Sequence, residues 1–438
     1  MQDEVLLSEF IDEISMGPFG SDITIDNYVS SGVPVLNGSN LETFKLVENT
    51  FNYVSEEKAK TFKKAIARRG DIVVTHRGTL GQISYIPDDS KFEYYVISQS
   101  QFRVRFKKSV DPRYIVFLFH TPYGQKKLLS FKNHVGVPAL AQATTNFKNL
   151  KICVHEFEEQ VRISDVLYTI DSKIELNNRI NAELDAMAKT IYDYWFVQFD
   201  FPDQNGKPYK SFGGKMVWNE ELKREVPEGW DDGELKDIAN ITMGQSPPGE
   251  SYNENGIGEV FYQGCTDFGL RFPSVRQFTT EPTRFAKKGD ILLSVRAPVG
   301  TMNIALNECC IGRGLAALNS KDKCTPYLFE VLKNLKQVFD RRNTDGTTFG
   351  AITKDDLFSL KVVIPKAKIL NSFSEILNPV FENQNIIALE NQQLASLRDW
   401  LLPMLMNGQV KVGDAYAQVE EQLLMAAEEG AAYKKSRK

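Results

Sequence analysis

Two long stretches of the chain carry apolar residues every three or four positions. This spacing is typical of one face of an amphipathic helix. It predicts one helix over Glu158–Phe196 and a second from about Leu370 to Asn407–Gly408. The first apolar stripe consists of Ile163, Val166, Ile170, Ile180, Leu184, Met187, Ile191 and Tyr194. The second stripe follows the same register 210 residues later and consists of Phe373, Ile376, Val380, Ile387, Leu394, Leu397, Leu401 and Met404.

The intervals within both stripes fit the seven-residue repeat of helices that pack along one another. Lys173 and Asn177 interrupt the first stripe, and Pro379 lies inside the second. Because proline lacks a backbone donor, we expect a kink or a fresh helix start at Pro379. Both stripes outlast an average helix, so we favour two helices that pack on each other. The alternative is that each stripe faces its own domain.

The rest of the chain alternates short strand-like and helix-like segments. Runs rich in β-branched and aromatic residues predict strands, and amphipathic runs predict short helices. The mixture indicates an α+β fold. The predicted strands are Asp71–His76, Gln82–Ile86, Phe102–Phe106 and Lys151–Val154, and the predicted short helices are Ser55–Lys64 and Pro112–Phe119.

A motif of about 18 residues occurs twice. The segment ARRGDIVVTHRGTLGQIS begins at Ala67, and AKKGDILLSVRAPVGTMNI begins at Ala286. Asp71, Arg77 and Gly81 recur 219 residues later as Asp290, Arg296 and Gly300. This offset is far longer than the roughly 20–50 residues of a solenoid repeat. It predicts two copies of a whole domain, each followed by a long helix.

These patterns predict two similar mixed α/β domains and two long helices joined by a connector. Pro and Gly recur through the connector, so we expect turns there and no long helix. The predicted segments are a first domain at 1–155, a first long helix at 156–200, a connector at 201–232, a second domain at 233–365, a second long helix at 366–410 and a C-terminal tail helix at 411–438.

Composition narrows the class of protein. The chain has 438 residues and a net charge of −5, and no apolar run is long enough to cross a membrane. The five cysteines are odd in number and fit no zinc ligand spacing, which indicates a reducing, cytoplasmic location. Residues 151–200 hold ten acidic against five basic residues, whereas the first 150 residues are slightly basic. The globular part is therefore compatible with binding to nucleic acid.

No catalytic or metal motif is present in the sequence. The nearest match to an adenine methyltransferase motif, DPRY at Asp111–Tyr114, lacks the second proline and opens an apolar helix. Gly213-Gly214-Lys215 is followed by Met216, so no phosphate-binding loop forms there. The four histidines lack metal-ligand spacing, and no Gly-x-Ser-x-Gly elbow occurs. These absences favour a recognition protein over an enzyme.

Four features together resemble the specificity subunit of type I restriction-modification systems. They are the blocks GDIVVTHRGTLGQ and GDILLSVRAPVGT, the run CIGRGLAAL at Cys310–Leu318, the connector FPDQNGKPYKSFGGKMVWNEELKREVPEGW, and the two helical repeats. The resemblance covers nearly the whole chain, and the connector is its most specific part.

The resemblance implies two target-recognition domains, each of which reads one half of a bipartite DNA sequence. It implies that the long helices pack as an antiparallel coiled coil and act as a ruler between the half-sites. It implies double-stranded DNA, two modification subunits and restriction subunits as partners, and no membrane. S-adenosylmethionine, ATP and Mg are expected on those partners, and no cofactor is expected on this chain.

Sequence-specific contact requires side chains that reach base edges, together with Lys and Arg that contact phosphates. The alternative for each polar loop residue is a turn hydrogen bond or simple solvation. Arg77 and Arg296, present in both copies, fit a phosphate contact or a scaffold role, and Asp71 and Asp290 fit turn formation. In the first domain the candidates are Asn37, Ser39, Asn40, Arg77, Thr79, Gln99, Gln142 and Thr144. In the second they are Gln245, Ser246, Tyr252, Gln263, Lys287, Lys288, Arg296, Arg313, Arg341, Arg342, Thr344 and Thr347.

Two other functions stay open at this stage. One is an autonomous DNA-modifying enzyme, which the missing motifs oppose. The other is a protein scaffold that does not bind DNA, which the polar, arginine-bearing loops oppose. A steep dependence of duplex binding on salt concentration distinguishes DNA recognition from a scaffold.

Overall fold

The computed structural model describes residues 4–18, 22–133, 137–336, 338–340 and 350–435. The chain divides into two compact units. The first comprises Met1–Ile174 with Gln393–Ala431, and the second comprises Glu175–Gln392 with Ala432–Lys438. Each long helix therefore contributes one part to each unit.

The first repeat contains eleven strands and four short helices among its described residues, and a long helix follows it. The strands are β1 (Val5–Leu6), β2 (Ile11–Met16), β3 (Tyr28–Val29), β4 (Val33–Leu36), β5 (Asn52–Val54), β6 (Ile66–Arg68), β7 (Ile72–Thr75), β8 (Ile83–Tyr85), β9 (Tyr94–Ile97), β10 (Gln101–Phe106) and β11 (Lys151–Ile152). The helices are α1 (Glu56–Thr61), α2 (Pro112–His120), α3 (Pro122–Leu128), α4 (Ala143–Lys148) and the long α5 (Phe157–Tyr192), which ends in a π-helical turn at Asp193–Val197.

The connector contains a β-hairpin, and the second repeat follows. The strands are β12 (Met216–Asn219) and β13 (Arg224–Pro227) of the hairpin, then β14 (Asp231–Glu234), β15 (Ala239–Met243), β16 (Tyr252–Asn253), β17 (Glu259–Tyr262), β18 (Phe278–Thr279), β19 (Phe285–Ala286), β20 (Ile291–Ser294), β21 (Met302–Ile304), β22 (Cys309–Ile311), β23 (Leu315–Ser320) and β24 (Lys361–Ile364). The helices are α6 (Leu235–Ile238), α7 (Thr325–Asn334), α8 (Lys354–Phe358), the long α9 (Ala367–Met406) and the tail helix α10 (Val412–Lys435).

The two repeats have the same sheet topology, which confirms the internal duplication. Each has a four-stranded antiparallel sheet, ordered β2-β10-β7-β8 in one and β15-β23-β20-β21 in the other. Each has a five-stranded sheet, ordered β3-β5-β4-β9-β6 and β16-β18-β17-β22-β19, that contains one parallel pair. Each is closed by a two-stranded pair, β1-β11 or β14-β24. The α+β fold with two similar domains is therefore confirmed.

Within each unit, α5 and α9 pack on each other. In the second unit the Asn177 amide donates to Glu390 Oε2 (2.8 Å) and Asn391 Oδ1 (2.9 Å), and Asn181 contacts the Gln384 carbonyl. Later residues of α5 thus meet earlier residues of α9, so the helices run antiparallel. The stripes also contact the domains. Ile163 of α5 packs with the sheet and α2 of its own repeat, whereas Leu401 of α9 lies in that same cluster and so packs with the first repeat, which its helix does not directly follow.

Two details of the helices differ from expectation. Met187 and Tyr194 are exposed, and Ala188, Tyr192 and Trp195 are buried in their place. A strict seven-residue repeat drifts by about 20° per heptad on a straight helix, so the assigned stripe moves onto the outer face toward the helix end.

Of the two alternatives expected at Pro379, a kink or a fresh helix start, the fresh start is wrong. The helix α9 is continuous from Ala367 to Met406. An interior proline costs about 3 kcal/mol or more. Phe373 and Leu377, in the turns just before it, are fully buried in the core and stabilise the helix across this position.

The tail helix α10 docks in the first unit. Val412, Ala415 and Val419 lie in the same core cluster as Leu401 and Leu405 of α9. The spacings of three and four residues place them on one face of the helix. The beginning of the tail therefore completes the first core.

Candidate nucleic-acid interface

Three loops of the first unit meet at one edge of the four-stranded sheet. The Gln82 amide donates to the Gly38 carbonyl (3.0 Å) and its Oε1 accepts from the Thr75 hydroxyl (3.2 Å). His76 Nε2 lies 3.1 Å from the Gln99 carbonyl. Because a carbonyl only accepts, Nε2 carries the proton, and burial lowers the pKa of His76 and favours the neutral ring.

A fourth segment joins this edge through backbone contacts. The Gly78 amide donates to the Pro138 carbonyl (2.9 Å), and the Leu140 amide donates to the His76 carbonyl (2.8 Å). Gln142 follows directly and is exposed, with a left-handed backbone (φ 43°). We call the segments 37–41, 76–82, 98–101 and 137–142 the first loop edge.

The second unit brings together the corresponding segments. The Ser246 hydroxyl and the Gln263 side chain are within hydrogen-bond distance (3.1 Å), and the Arg313 amide donates to Ser246 Oγ (3.3 Å). The Val295 amide donates to the Gly314 carbonyl (2.9 Å), and the Ile352 amide donates to the Val295 carbonyl (3.0 Å). We call the segments 245–246, 263–267, 295–301, 311–314 and 350–352 the second loop edge.

Three pairs of candidates occupy matching places on the two edges. Asn37 directly follows β4, and Gln263 directly follows β17. Arg77 and Arg296 each lie two residues after the matching strands β7 and β20. Gln99 and Arg313 each lie two residues before β10 and β23. The arginine is thus the same on both edges, whereas the side chains at the other two places differ.

Arg77 and Arg296 are both exposed. Among the residues that the structure describes, neither guanidinium has a hydrogen bond or an ion pair. Their backbones instead form isolated bridges with Ala139 and Ala351. The main chain at both positions therefore joins the framework of the domain, and both side chains are exposed to solvent.

Several candidates are occupied by their own loops. Asn40 is buried, and its amide donates to the carbonyls of Val47 (2.8 Å) and Thr50 (3.1 Å), so its side chain is engaged within its own loop. Asn37 Oδ1 accepts from the amide and hydroxyl of Ser39. The Tyr252 hydroxyl donates to the Pro247 carbonyl (3.0 Å).

The remaining candidates separate into groups by exposure and position. Lys287 and Lys288 precede β20 and so lie at the opposite end of that strand from Arg296. Arg341, Arg342, Thr344 and Thr347 lie outside the described residues. The exposed candidates are Ser39, Arg77, Thr79, Gln99, Gln142, Gln245, Lys287, Lys288, Arg296 and Arg313, and the half-buried ones are Asn37, Thr144, Ser246, Tyr252 and Gln263.

The repeated aspartates form the turns expected of them. Asp71 Oδ2 accepts from the Arg68 amide, and Asp290 Oδ2 accepts from the Lys287 amide, both at 2.9 Å. Both carboxylates are buried. Asp71 also pairs with Arg105 at 2.8 Å. The Gly-Asp part of the repeated motif therefore shapes the turn and does not face a ligand.

The described residues hold no cluster of His, Cys, Asp and Glu suited to a metal ion. Asp111, in the segment that resembles a methyltransferase motif, caps α2 by accepting from the Arg113 amide (2.8 Å). None of the helices in the described part of the chain has the length and apolar content needed to cross a bilayer.

Comparison with known proteins agrees with this geometry. The family model for the type I restriction modification DNA specificity domain matches twice, over residues 22–186 and 227–398. The putative type I restriction enzyme MjaX specificity subunit of Methanocaldococcus jannaschii is 29% identical over 388 residues, 87% of this chain and 88% of that protein. The type I restriction enzyme HindI specificity subunit of Haemophilus influenzae is 22% identical, over 80% of this chain and 88% of its own length.

A solved structure supports the fold. The type I restriction-modification S subunit from M. genitalium matches with a TM-score of 0.59 at 16% identity, over 93% of this chain and 96% of that chain. The two family matches together cover well over half of the chain, one on each repeat. The chain therefore belongs to the DNA specificity subunits of type I restriction-modification systems, which are non-catalytic DNA-recognition components of those complexes.

Proposed function

We propose that each loop edge reads one half of a bipartite DNA target, that the helix pair sets the spacer between the halves, and that the bound chain directs adenine methylation and DNA cleavage by partner subunits. The observation that carries this proposal is the duplicated edge: one framework, one arginine kept in both copies, and different side chains around it. Methylation sequencing of host DNA with and without this chain tests it, because the bipartite motif must disappear with the chain.

The chemistry of the edges supports a division of labour. Arg77 and Arg296 are exposed and occupy the same place in the two units. This is what we expect of phosphate contacts that position a duplex in the same way in both units. Gln99 and Arg313 occupy a second matching place with different side chains. Gln pairs with adenine and Arg with guanine through two hydrogen bonds in the major groove. We therefore assign the first role to backbone positioning and the second to base recognition.

This assignment predicts a change of base preference on substitution. Arg313→Gln will relax or alter the base preference at one position of the second half-site, because the guanidinium fork that matches guanine is lost. The free energy of binding to the original base will become less favourable by about 1–3 kcal/mol. Gln99→Arg will act on the first half-site in the same way. Binding of purified complexes to duplexes with each base at each position of the motif measures the effect.

The matched control is the double variant Lys287→Ala, Lys288→Ala at the opposite end of β20. It will weaken binding to specific and random duplexes alike and reduce the salt dependence by roughly one unit of slope per lost phosphate contact. If Arg313→Gln weakens binding to all duplex sequences equally, as this control does, Arg313 contacts phosphate and does not read a base.

The helix pair offers a surface for the modification subunits. Leu176 and Met187 on α5, and Tyr194 in the π-helical turn at its end, are exposed to 42%, 42% and 39%. They lie eleven and seven residues apart, which is about three and two helical turns, so they form one outward apolar stripe. A stripe of this kind on a helix is a common docking surface for another helix.

Met187→Glu will therefore reduce co-purification with the modification subunits, because a carboxylate in an apolar helix contact loses its hydration. Ala182→Glu is the control: Ala182 is exposed on the same helix but points about 120° away from the stripe. Equal recovery of modification subunits with wild-type chain, Met187→Glu and Ala182→Glu contradicts docking on this stripe.

A further inference from the structure

In the second unit, a half-buried arginine from the loop that follows Gln263 packs against a long helix. The Arg271 guanidinium donates to Asn385 Oδ1 through Nε and to the Phe381 carbonyl at 3.1 Å. It also lies 4.2 Å from the centre of the Phe381 ring. Arg271 thus spans one turn of α9 with a hydrogen-bond fork and a stacking contact.

The first unit repeats this contact with a lysine. Lys45 Nζ donates to the Ser172 hydroxyl (2.8 Å) and lies 4.0 Å from the centre of the Tyr168 ring. The pattern on α5 is the same as on α9: an aromatic residue and, four positions later, a hydrogen-bonding side chain. In both units a cation from the domain therefore covers an aromatic ring of the helix and bonds to its neighbour one turn on.

Lys45 and Arg271 occupy equivalent places in the two repeats. Each lies nine residues after the end of the matching strand, β4 or β17. The surrounding backbone pairs with matching strands as well, in a register that differs by one residue. Lys45 bridges Tyr85 in β8, whose amide donates to the Phe44 carbonyl, whereas the Ile304 amide of β21 donates to the Arg271 carbonyl. Two copies of the fold have thus kept a cation–helix contact although the cation itself differs.

The contact is not a general surface ion pair. Desolvation lowers the pKa of Arg271 to about 10, so the guanidinium remains charged near neutral pH. A buried cation is costly unless its hydrogen bonds are made, which ties the loop to one position on the helix. The same loop begins with Gln263 of the second loop edge, and its counterpart in the first unit begins with Asn37 of the first.

We propose that Lys45 and Arg271 are positioning residues that fix each loop edge on its spacer helix, so that the subunit accepts one spacer length between the half-sites and rejects its neighbours. The inference rests on the proposed function, because it requires two reading edges and a helix ruler. One base pair added to the spacer moves a half-site by about 3.4 Å and turns it by about 35°. A domain held rigidly on its helix cannot follow this change, whereas a released domain can.

The experiment compares the complex with modification subunits on three duplexes that carry the same half-sites with the native spacer or with one base pair more or fewer. Arg271→Met keeps the length of the side chain and removes the charge and the fork. It will lower the ratio of affinities for the native and altered spacers about tenfold, because the altered duplexes will bind better. The recognised bases will stay unchanged. Arg271→Lys, which keeps the cation, will restore part of the preference.

Lys236→Met is the matched control, since Lys236 is an exposed cation of the same unit that pairs with Glu234 and with neither a loop edge nor a long helix. Lys45→Met in the first unit repeats the test if Arg271→Met does not fold. A folded Arg271→Met or Lys45→Met complex that keeps the full spacer preference overturns the inference alone. A wild-type complex that binds all three duplexes and random DNA equally overturns the proposed function itself.

Discussion

Replacement of residues 1–150 by those of a related specificity subunit will change one half of the methylated motif and leave the other half as it was. All segments of the first loop edge lie between residues 37 and 142, and those of the second lie between 245 and 352. Each edge is built on its own four-stranded sheet. Because no strand is shared between the two sheets, a new first edge leaves the framework of the second unaltered.

The exchange has a structural condition. Ile163, Val166 and Ile170 of α5 pack in the same core cluster as Tyr114 and Phe117 of α2. A donor domain with larger or smaller residues on this face creates cavities or clashes that cost about 1–5 kcal/mol per site. An exchange that also includes α5 up to Ile174 avoids this mismatch. It also keeps the donor's loop together with the part of the donor's helix that corresponds to Tyr168 and Ser172.

The measurement is single-molecule methylation sequencing of a host that carries each chimaera with native modification subunits. The reciprocal exchange of residues 233–365 is the control and will change the other half-site alone. A motif in which both halves change after either exchange contradicts the assignment of one half-site to each repeat.

The elements that the sequence predicted well are those with a local or repeated signal. The motif around Asp71 and Asp290 specifies a turn and two strands through residues that lie close together in the chain, and the duplicated topology follows from it. The long helices follow from their apolar stripes. The correspondence between positions on the two loop edges was harder to predict from the sequence, because Gln99 and Arg313 share a place but not a residue type.

Features that depend on contacts between distant segments were not predicted. Asn40 is a polar loop residue of a type that can contact bases, yet its side-chain amide donates to the carbonyls of Val47 and Thr50 within the loop. Lys45 and Arg271 share no signal in the sequence, because they differ in residue type and lie 226 residues apart. This offset differs from that of the repeated motif and from that of the helices. Only the folded structure shows that they make the same kind of contact with a long helix.

The middle of the helix pair explains why its register is definite. Asn177 is buried in the seam and bonds to Glu390 and Asn391, and the Asn391 amide donates to Asn178 (2.8 Å). An asparagine at a seam position lowers stability relative to an apolar residue but fixes register, because a shifted pairing leaves its amide unpaired. A change in helix length must therefore keep this polar layer intact.

Insertion of one heptad in each long helix, after Ile174 of α5 and after Gln392 of α9, will lengthen the spacer that the subunit recognises by about three base pairs. These points lie outside the polar layer and at the division between the two compact units. Seven residues are about two helical turns and add about 10 Å, which corresponds to about three base pairs at about 3.4 Å each. The half-sites will stay unchanged, because neither loop edge is altered.

A three-residue insertion at the same two points is the control. It rotates the following seam residues by roughly 300° and moves them off the partner helix, so we expect loss of assembly with the modification subunits. Methylation sequencing of the heptad variant decides the role of the helices. An active complex with an unaltered spacer shows that something other than the helix pair sets the distance, whereas a longer spacer with the same half-sites is the result expected of a ruler.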